Sequence, residues 1–461
     1  MPKPLVLSSV AALAGCAWLA ASQDPASVAP RDARAPEPDS GPVVSLTSRI
    51  SHPVMPAGDA RDVYLHLSMR AAERPDMPRL GMNLALVIDR SGSMASEDKL
   101  HFAKSAAEQL VSRLRPDDRL AIVAYDDQVR TAVPSTPAGE TGAFLAAIRE
   151  LVPGGATDLF GGLVRGYEEM HGHFDAERVN GVLLLSDGLA NRGVTAPDRI
   201  RGQADAWRAE GVRVSTMGMG VDYDEDLLCA IAQHAGGNYF YVNEAESVGH
   251  YLDREIDELG RVTARQPEVR IELAEGVELG EVYGHVHRTE GRTVVVPLRD
   301  FHGGQGAKVV LRLRTQGKAG ERKALAACRL DYFEARTREA RREQPAALTV
   351  AFSEDLEEVR RTRDPEVLVQ AEIVQDAAAL DDAMRMQKEG RVKDAQELLA
   401  ARYLNSKTVN ATEYQSADLD RILERMLQVM QDLERTRSAS REVRRNLQLT
   451  TQLQALGYGG Q

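Results

Sequence analysis

The stretch LALVIDRSGSMASEDKL, residues 84–100, closes an apolar run with an aspartate and follows it with two serines at alternate positions. Asp89, Ser91 and Ser93 put one carboxylate and two hydroxyls at the mouth of a predicted buried strand, and Gly92 permits a tight turn between them. Such hard oxygen donors suit Mg²⁺, Mn²⁺ or Ca²⁺ better than zinc. Two further oxygens stand in the same context downstream. GGATDLFGGL places Thr157 after a Gly-Gly turn and before a predicted helix, and LLLSDGLANRG places Asp187 at the end of the most apolar strand. In open α/β sheets, ligands gather beyond the carboxyl ends of the strands. Asp89, Ser91, Ser93, Thr157 and Asp187 are therefore the candidate metal ligands, with both carboxylates expected at a solvent-facing rim.

The elements that must position them are legible as alternation. LALVID, RLAIVAY and GVLLLSD are nearly continuous apolar runs, as parallel strands covered on both faces require, and VRVSTMGMG follows. Between them lie segments of helical spacing, such as Leu100, Ala103, Ala107, Leu110 and Leu114. The fold class expected is α/β, a doubly wound and mostly parallel sheet. Before it, DVYLHLSM alternates as a strand, with Val63, Leu65 and Leu67 on one face. After it come short strands with glycine turns, so the α/β segment is expected inside or beside a β-sandwich. Asp364-Pro365-Glu366 reads as a helix start, and a C-terminal helical region follows.

The five oxygen-bearing positions, in this order and on these loops, resemble the metal-ion-dependent adhesion site of von Willebrand factor type A domains. The pattern there is Asp-x-Ser-x-Ser, then a Thr, then an Asp. The resemblance covers residues 83–262. It implies that the serines and threonine contact a divalent cation, Mg²⁺ or else Mn²⁺ or Ca²⁺, while the aspartates act directly or through water. It also implies an open coordination position for a carboxylate of a protein partner. The flanking β and helical parts resemble bacterial lipoproteins with an embedded type A domain. In setting β structure beside such a domain, the chain is also similar to the heavy chains of inter-alpha-trypsin inhibitor.

The chain begins MPKPLVLSSVAALAGC: a lysine, an apolar stretch too short to span a bilayer, then Leu-Ala-Gly-Cys. This resembles a lipobox, which implies a lipid on Cys16 and a place in the bacterial cell envelope, the outer membrane being favoured because Ala17 follows. The domain limits expected are 1–21 for the signal and anchor region, 22–42 for a flexible Pro/Ala/Asp-rich linker and 43–82 for strands of the sandwich. They continue with 83–262 for the type A domain, 263–335 for the sandwich, 336–448 for helices and 449–461 for a disordered tail.

Across 461 residues the formal charge is −12 and aromatics make up 5%, which argues against a nucleic-acid partner. Nucleotide-loop, zinc-protease and nucleophile-elbow motifs are missing from the sequence. The expectation is a non-enzymatic, membrane-tethered protein that binds an acidic protein partner through its metal. The alternatives are an envelope scaffold with a merely stabilising metal and, less favoured, a subunit of an ATP-driven complex. Arg90 and Arg192 flank the metal loops, where they can steer acidic ligands. Asp222, Asp224 and Asp226 mimic the start of a calcium loop but depart from it at Leu227 and Leu228. His285 and His287 form a pair on a predicted strand without an evident third ligand.

Overall fold

The structure is a computed structural model, and it describes residues 42–73, 79–96, 98–187, 190–219, 224–242, 251–252, 255–256 and 261–435. Cys16, the linker before residue 42 and the tail from 449 lie outside them.

The chain starts with β1 (Val44–Ile50), β2 (Val54–Pro56) and β3 (Gly58–Ala71). An α/β segment follows: β4 (Met82–Asp89), α1 (Lys99–Arg113), β5 (Arg119–Tyr125), β6 (Val129–Pro137), α2 (Thr141–Arg149), α3 (Leu159–His171), β7 (Val179–Ser186), α4 (Pro197–Ala209), β8 (Val212–Met219), α5 (Glu225–His234) and β9 (Tyr239–Val242). The chain then returns to strands: β10 (Val262–Leu273), β11 (Glu278–Val282), β12 (Arg288–Glu290), β13 (Thr293–Pro297), β14 (Phe301–His302), β15 (Gly306–Gly317), β16 (Arg322–Glu334), β17 (Ala340–Glu343) and β18 (Leu348–Ser353). Helices α6 (Leu356–Arg361), α7 (Pro365–Lys388), α8 (Val392–Val409) and α9 (Ala417–Arg435) complete it.

The central sheet has the order β6-β5-β4-β7-β8-β9, parallel throughout except for β6. Every residue of β4, β7 and β8 is buried, which explains the unbroken apolar runs. Helices α1 and α2 cover one face, and α3, α4 and α5 cover the other. Helix α3 sits unusually close. A Cβ on Gly162 would lie 2.6 Å from the Tyr125 ring, and one on Gly166 would overlap Val87. Two glycines one turn apart thus let this helix press its start, and the loop before it, onto the strand ends.

The flanking strands form two sheets around one core. One runs β1-β3-β15-β11; the other runs β12-β13-β10-β16-β18-β2, with β14 and β17 added on β10 and β16. Val63, Leu65 and Leu67 of β3 share that core with Val269, Ile271 and Leu330. Strand β3, before the α/β segment, pairs along nearly its whole length with β15, after it. The segment therefore interrupts a sandwich built from both sides of it.

One expected domain limit needs correcting. Residues 336–448 are not helical from their start: Ala340–Glu343 and Leu348–Ser353 are strands of the sandwich, paired with β16. Val350 and Phe352 alternate into the core, and this period is short enough to be hidden behind the charged run that precedes it. The helices that follow pack back on the sandwich. Asp364 caps α7 by accepting from the Glu366 and Val367 amides, and Arg49 of β1 donates to it at 2.7 Å. Ile373, Leu380, Met384, Leu419, Ile422 and Met426 then bury against Tyr283 and Val310 on the outer face of the first sheet.

Candidate metal centre

Strand β4 ends at Asp89, whose side chain is wholly buried, against the expectation of a solvent-facing rim. The cause lies in the strands beside it. Tyr125, at the end of β5, donates to Asp89 Oδ2 at 3.2 Å, and Ser186, at the end of β7, donates to the same oxygen at 2.8 Å. The Ser91 amide donates to Oδ1 at 2.8 Å, the local turn expected of an Asp-x-Ser sequence. The Ser91 and Ser93 hydroxyls then lie 3.1 Å apart. Burial pushes the Asp89 carboxyl up to about 6; the Ser91 hydrogen bonds pull it down, and the neighbouring Asp187 carboxylate pushes it up again.

The second loop is bolted to the first by backbone. Gly92 donates to the Gly155 carbonyl at 2.8 Å, and Gly154 donates to the Arg90 carbonyl at 2.6 Å. A Cβ on Gly154 would overlap the Asp126 carboxylate, and a Cβ on Gly155 would come 2.5 Å from Asp127, so the two glycines let the turn between β5 and β6 close on this loop. Asp126 in turn holds Arg90 at 2.7 Å. Arg90 is thus spent on fastening the loops and does not project toward a ligand; Arg192 reaches Asp127 at 3.3 Å and stays largely exposed.

Thr157 follows, buried, at the head of α3. Its amide donates to Asn191 Oδ1 at 2.8 Å, and its carbonyl accepts from the Asn191 and Arg192 amides. The loop of Thr157 is in this way tied to the loop that follows Asp187. Asp158 caps α3 by accepting from Gly161.

Asp187 is also wholly buried, and neither of its carboxylate oxygens has a hydrogen-bond partner among the described residues. The Lys99 ammonium, itself 4% exposed, stands 3.5 Å away. Buried polar atoms are nearly always hydrogen-bonded. Two orphaned carboxylate oxygens beside a second buried carboxylate and a pair of facing hydroxyls make an oxygen-only donor set with surplus negative charge. The residues present fit a hard divalent cation.

Of the five predicted ligands, Asp89, Ser91 and Ser93 are joined by direct hydrogen bonds. Asp187 is joined to them through the electrostatic coupling of the two carboxyls, and Thr157 through the loop backbone. Lys99, Tyr125 and Ser186 are not marked by the sequence, and Asp126 stands there only as one of an acidic pair at a strand-to-strand turn. Ser186 is signalled only by its place before Asp187, and Lys99 looks like any lysine in the first turn of a helix.

The other candidates have different employment. Asp224 caps α5, and residues 220–223 lie outside the described ones. His285 Nε2 is bound to the Lys308 carbonyl at 2.8 Å, and His287 is exposed. Cys229 and Cys328 are both free thiols.

Residues 83–254 match the family model of the von Willebrand factor type A domain. Over 210 residues the chain is 32% identical to the uncharacterized protein YfbK of Escherichia coli, a stretch covering 45% of this chain and 36% of that one. It is 26% identical over 230 residues to inter-alpha-trypsin inhibitor heavy chain H1 of Sus scrofa, covering 48% of this chain and 25% of the other. The chain thus spans about a third and a quarter of the length of these two relatives. Among solved structures it is similar to a von Willebrand factor type A protein from Catenulispora acidiphila, with a TM-score of 0.61 at 17% identity, covering 81% of this chain and 90% of that one. That likeness is one of fold, and it reaches well beyond the α/β segment, which has the type A fold.

Proposed function

We propose that this chain is a non-enzymatic binding protein of the bacterial envelope, tethered by a lipid on Cys16. Asp89, Ser91, Ser93, Thr157 and Asp187 hold a divalent cation, Mg²⁺ in the first instance, to which an acidic side chain of a protein partner is offered. The observation that supports the reading is the pair of buried Asp187 oxygens without a hydrogen-bond partner among the described residues. The cation supplies an electrophilic centre for the incoming carboxylate; the protein residues do the rest. Tyr125 and Ser186 hold Asp89 by one oxygen and keep its orientation fixed. The serine and threonine hydroxyls bring donor oxygens without further charge, so a bound cation keeps affinity for an anionic partner group. Type A domains serve protein–protein contact in general, and the partner surface adds apolar and polar contacts around the ion.

The test is calorimetric titration and thermal melting of the soluble chain with Mg²⁺, Mn²⁺ and Ca²⁺, beside Asp89→Ala. A site that binds only the folded state stabilises it by about 2.7 kcal/mol at a hundredfold excess over Kd. That increment should vanish in the variant, and capture of an envelope partner should collapse in EDTA. An undiminished shift in Asp89→Ala would place the ion elsewhere. Acyl label that persists in Cys16→Ala would remove the tether.

A further inference from the structure

At the opposite end of the type A sheet, under the first residues of β7 and β8, lies a cavity of about 290 Å³ that the metal reading leaves unused. Its floor is the sandwich, through Arg265 and Gln266 of β10 and the end of β16. The chain carries a net charge of −12, yet five arginines line this cavity with three carboxylates, Glu210, Asp300 and Glu334. Arg178 is paired with Asp175, Arg338 with Glu177, and Arg208 donates to the Leu298 carbonyl, so Arg213 and Arg265 are the two that matter here.

The carboxylates are largely committed. Glu334 Oε2 accepts from Arg341 Nε and Nη2, outside the cavity lining, and Glu210 accepts from the Tyr167 hydroxyl. Asp300 accepts from the Gln266 amide at 2.9 Å with one oxygen and stands 3.8 Å from Arg213 with the other. It stands between two guanidiniums, with Asp175 also acting on that of Arg265. Arg213 is 6% exposed, and its Nε and Nη1 have no hydrogen-bond partner among the described residues. Arg265 donates to the Ala176 carbonyl through Nη1, while its Nη2 has no partner among them. Burial lowers the Arg265 guanidinium below its ordinary value, Asp300 opposing and Arg213 reinforcing the shift, so the two cations feel one another.

A buried guanidinium fork with unused donors is a poor structural strut, because desolvation is compensated only when the donors are met. It is a good receptor for a planar carboxylate or a phosphate, which it grips by two parallel bonds. The remaining walls, Phe174, Val179, Leu298 and Phe333, are apolar. Gln266 holds a left-handed backbone, φ 49°, at a bulge in β10; its side chain donates to the carbonyl of Arg208. Such strain at a cavity rim is typical of built sites.

We propose that this cavity binds a small ligand made of an oxyanion, phosphate or carboxylate, on an apolar body, with Arg213 and Arg265 gripping the oxyanion. The ligand touches the type A domain and the sandwich at once, so it ties the pose of one to the other. The proposal stands apart from the metal reading.

The full chain in low-chloride buffer is titrated with inorganic phosphate, phenyl phosphate and phenylacetate, read by calorimetry and thermal melting. Saturable binding of at least one probe is expected, and it should weaken roughly tenfold or more in both Arg213→Gln and Arg265→Gln. Preference between phenyl phosphate and phenylacetate identifies which oxyanion the site takes. Arg213→Lys, which keeps the charge but loses the fork, should show the same loss and serves if the glutamine variant does not fold. The proposal is overturned if no probe binds saturably up to millimolar concentration, or if binding is unchanged in the variants.

Discussion

Lys99 contributes a positive charge to a site that is otherwise all oxygen. Its ammonium, 3.5 Å from Asp187 and buried, supplies part of the neutralisation that a divalent ion supplies when bound. Lys99→Met should leave Asp187 buried beside Asp89 with that charge gone. In EDTA this should cost on the order of 3 kcal/mol, the scale of breaking a buried pair. In saturating Mg²⁺ most of the loss should return, and Mg²⁺ should bind roughly tenfold more tightly because no ammonium competes for Asp187. Melting curves in EDTA and in Mg²⁺, with calorimetry on both proteins, read all three effects. An unchanged Mg²⁺ affinity would mean that the ammonium does not share the cation's place. The five oxygen ligands are legible in the sequence because their types and order are distinctive. Lys99 is not, since a lysine at the start of a helix reads as solvated surface until the strand ends close over it. The same holds for the burial of Asp89: nothing near it in the sequence says that Tyr125 and Ser186, 36 and 97 positions away, will donate to it.

Helix α3 presses on β4 and β5 at Gly162 and Gly166, and it carries Thr157 at its head. Gly166→Ala should destabilise the protein by about 1–3 kcal/mol through overpacking against Val87, although alanine is the better helix former. It should also weaken cation binding by displacing the Thr157 loop. Urea unfolding and Mg²⁺ titration test both, and a stabilised variant would show that the helix has slack. Strand β3 presents His66 on the face that α7 covers, 4% exposed, with Nε2 unpartnered among the described residues. Burial, reinforced by the Lys308 ammonium, lowers its pKa to about 4. The folded state then binds fewer protons than the unfolded one between about 6.5 and 4. Stability is therefore full above 6.5 and drains as pH falls through that window. His66→Leu should remove on the order of 2 kcal/mol of the difference between unfolding at pH 7 and at pH 4. An identical pH slope in the variant would show that another group carries the acid lability. The inner strands are legible as apolar runs, whereas β6 carries two prolines and alternating burial, and β9 has four residues. Both are edge elements, which is why pattern alone does not single them out.

At the scale of the molecule, the position of the type A segment follows from where its ends leave the sandwich. Ala71, closing β3, exchanges backbone hydrogen bonds with Gly304 and Gln305, and Val262, opening β10, is the register partner of His302. Exit and re-entry thus both meet the 302–305 turn, one from each sheet of the sandwich. A chain in which residues 80–261 are replaced by a short glycine-rich linker should keep β3 beside β15, close the sandwich and retain the helices packed on it. A chain starting at residue 262 should not fold. It loses the partner of β15 along eleven register positions. It also loses Val63, Leu65, Leu67 and Met69 from the core, each worth about 1.5–3 kcal/mol when buried. Four such side chains amount to roughly the 5–15 kcal/mol by which a whole domain is stable. Sequence pattern suggests this division because strands flank the α/β segment on both sides, but it cannot state that they pair, since pairing partners 250 positions apart leave no local trace. Circular dichroism and cooperative melting of the two deletion proteins decide the matter. A molten or aggregated excision protein beside a well-folded chain from residue 262 would show that the strands after the α/β segment fold without β1–β3 and that the pairing of β3 with β15 does not hold the sandwich together.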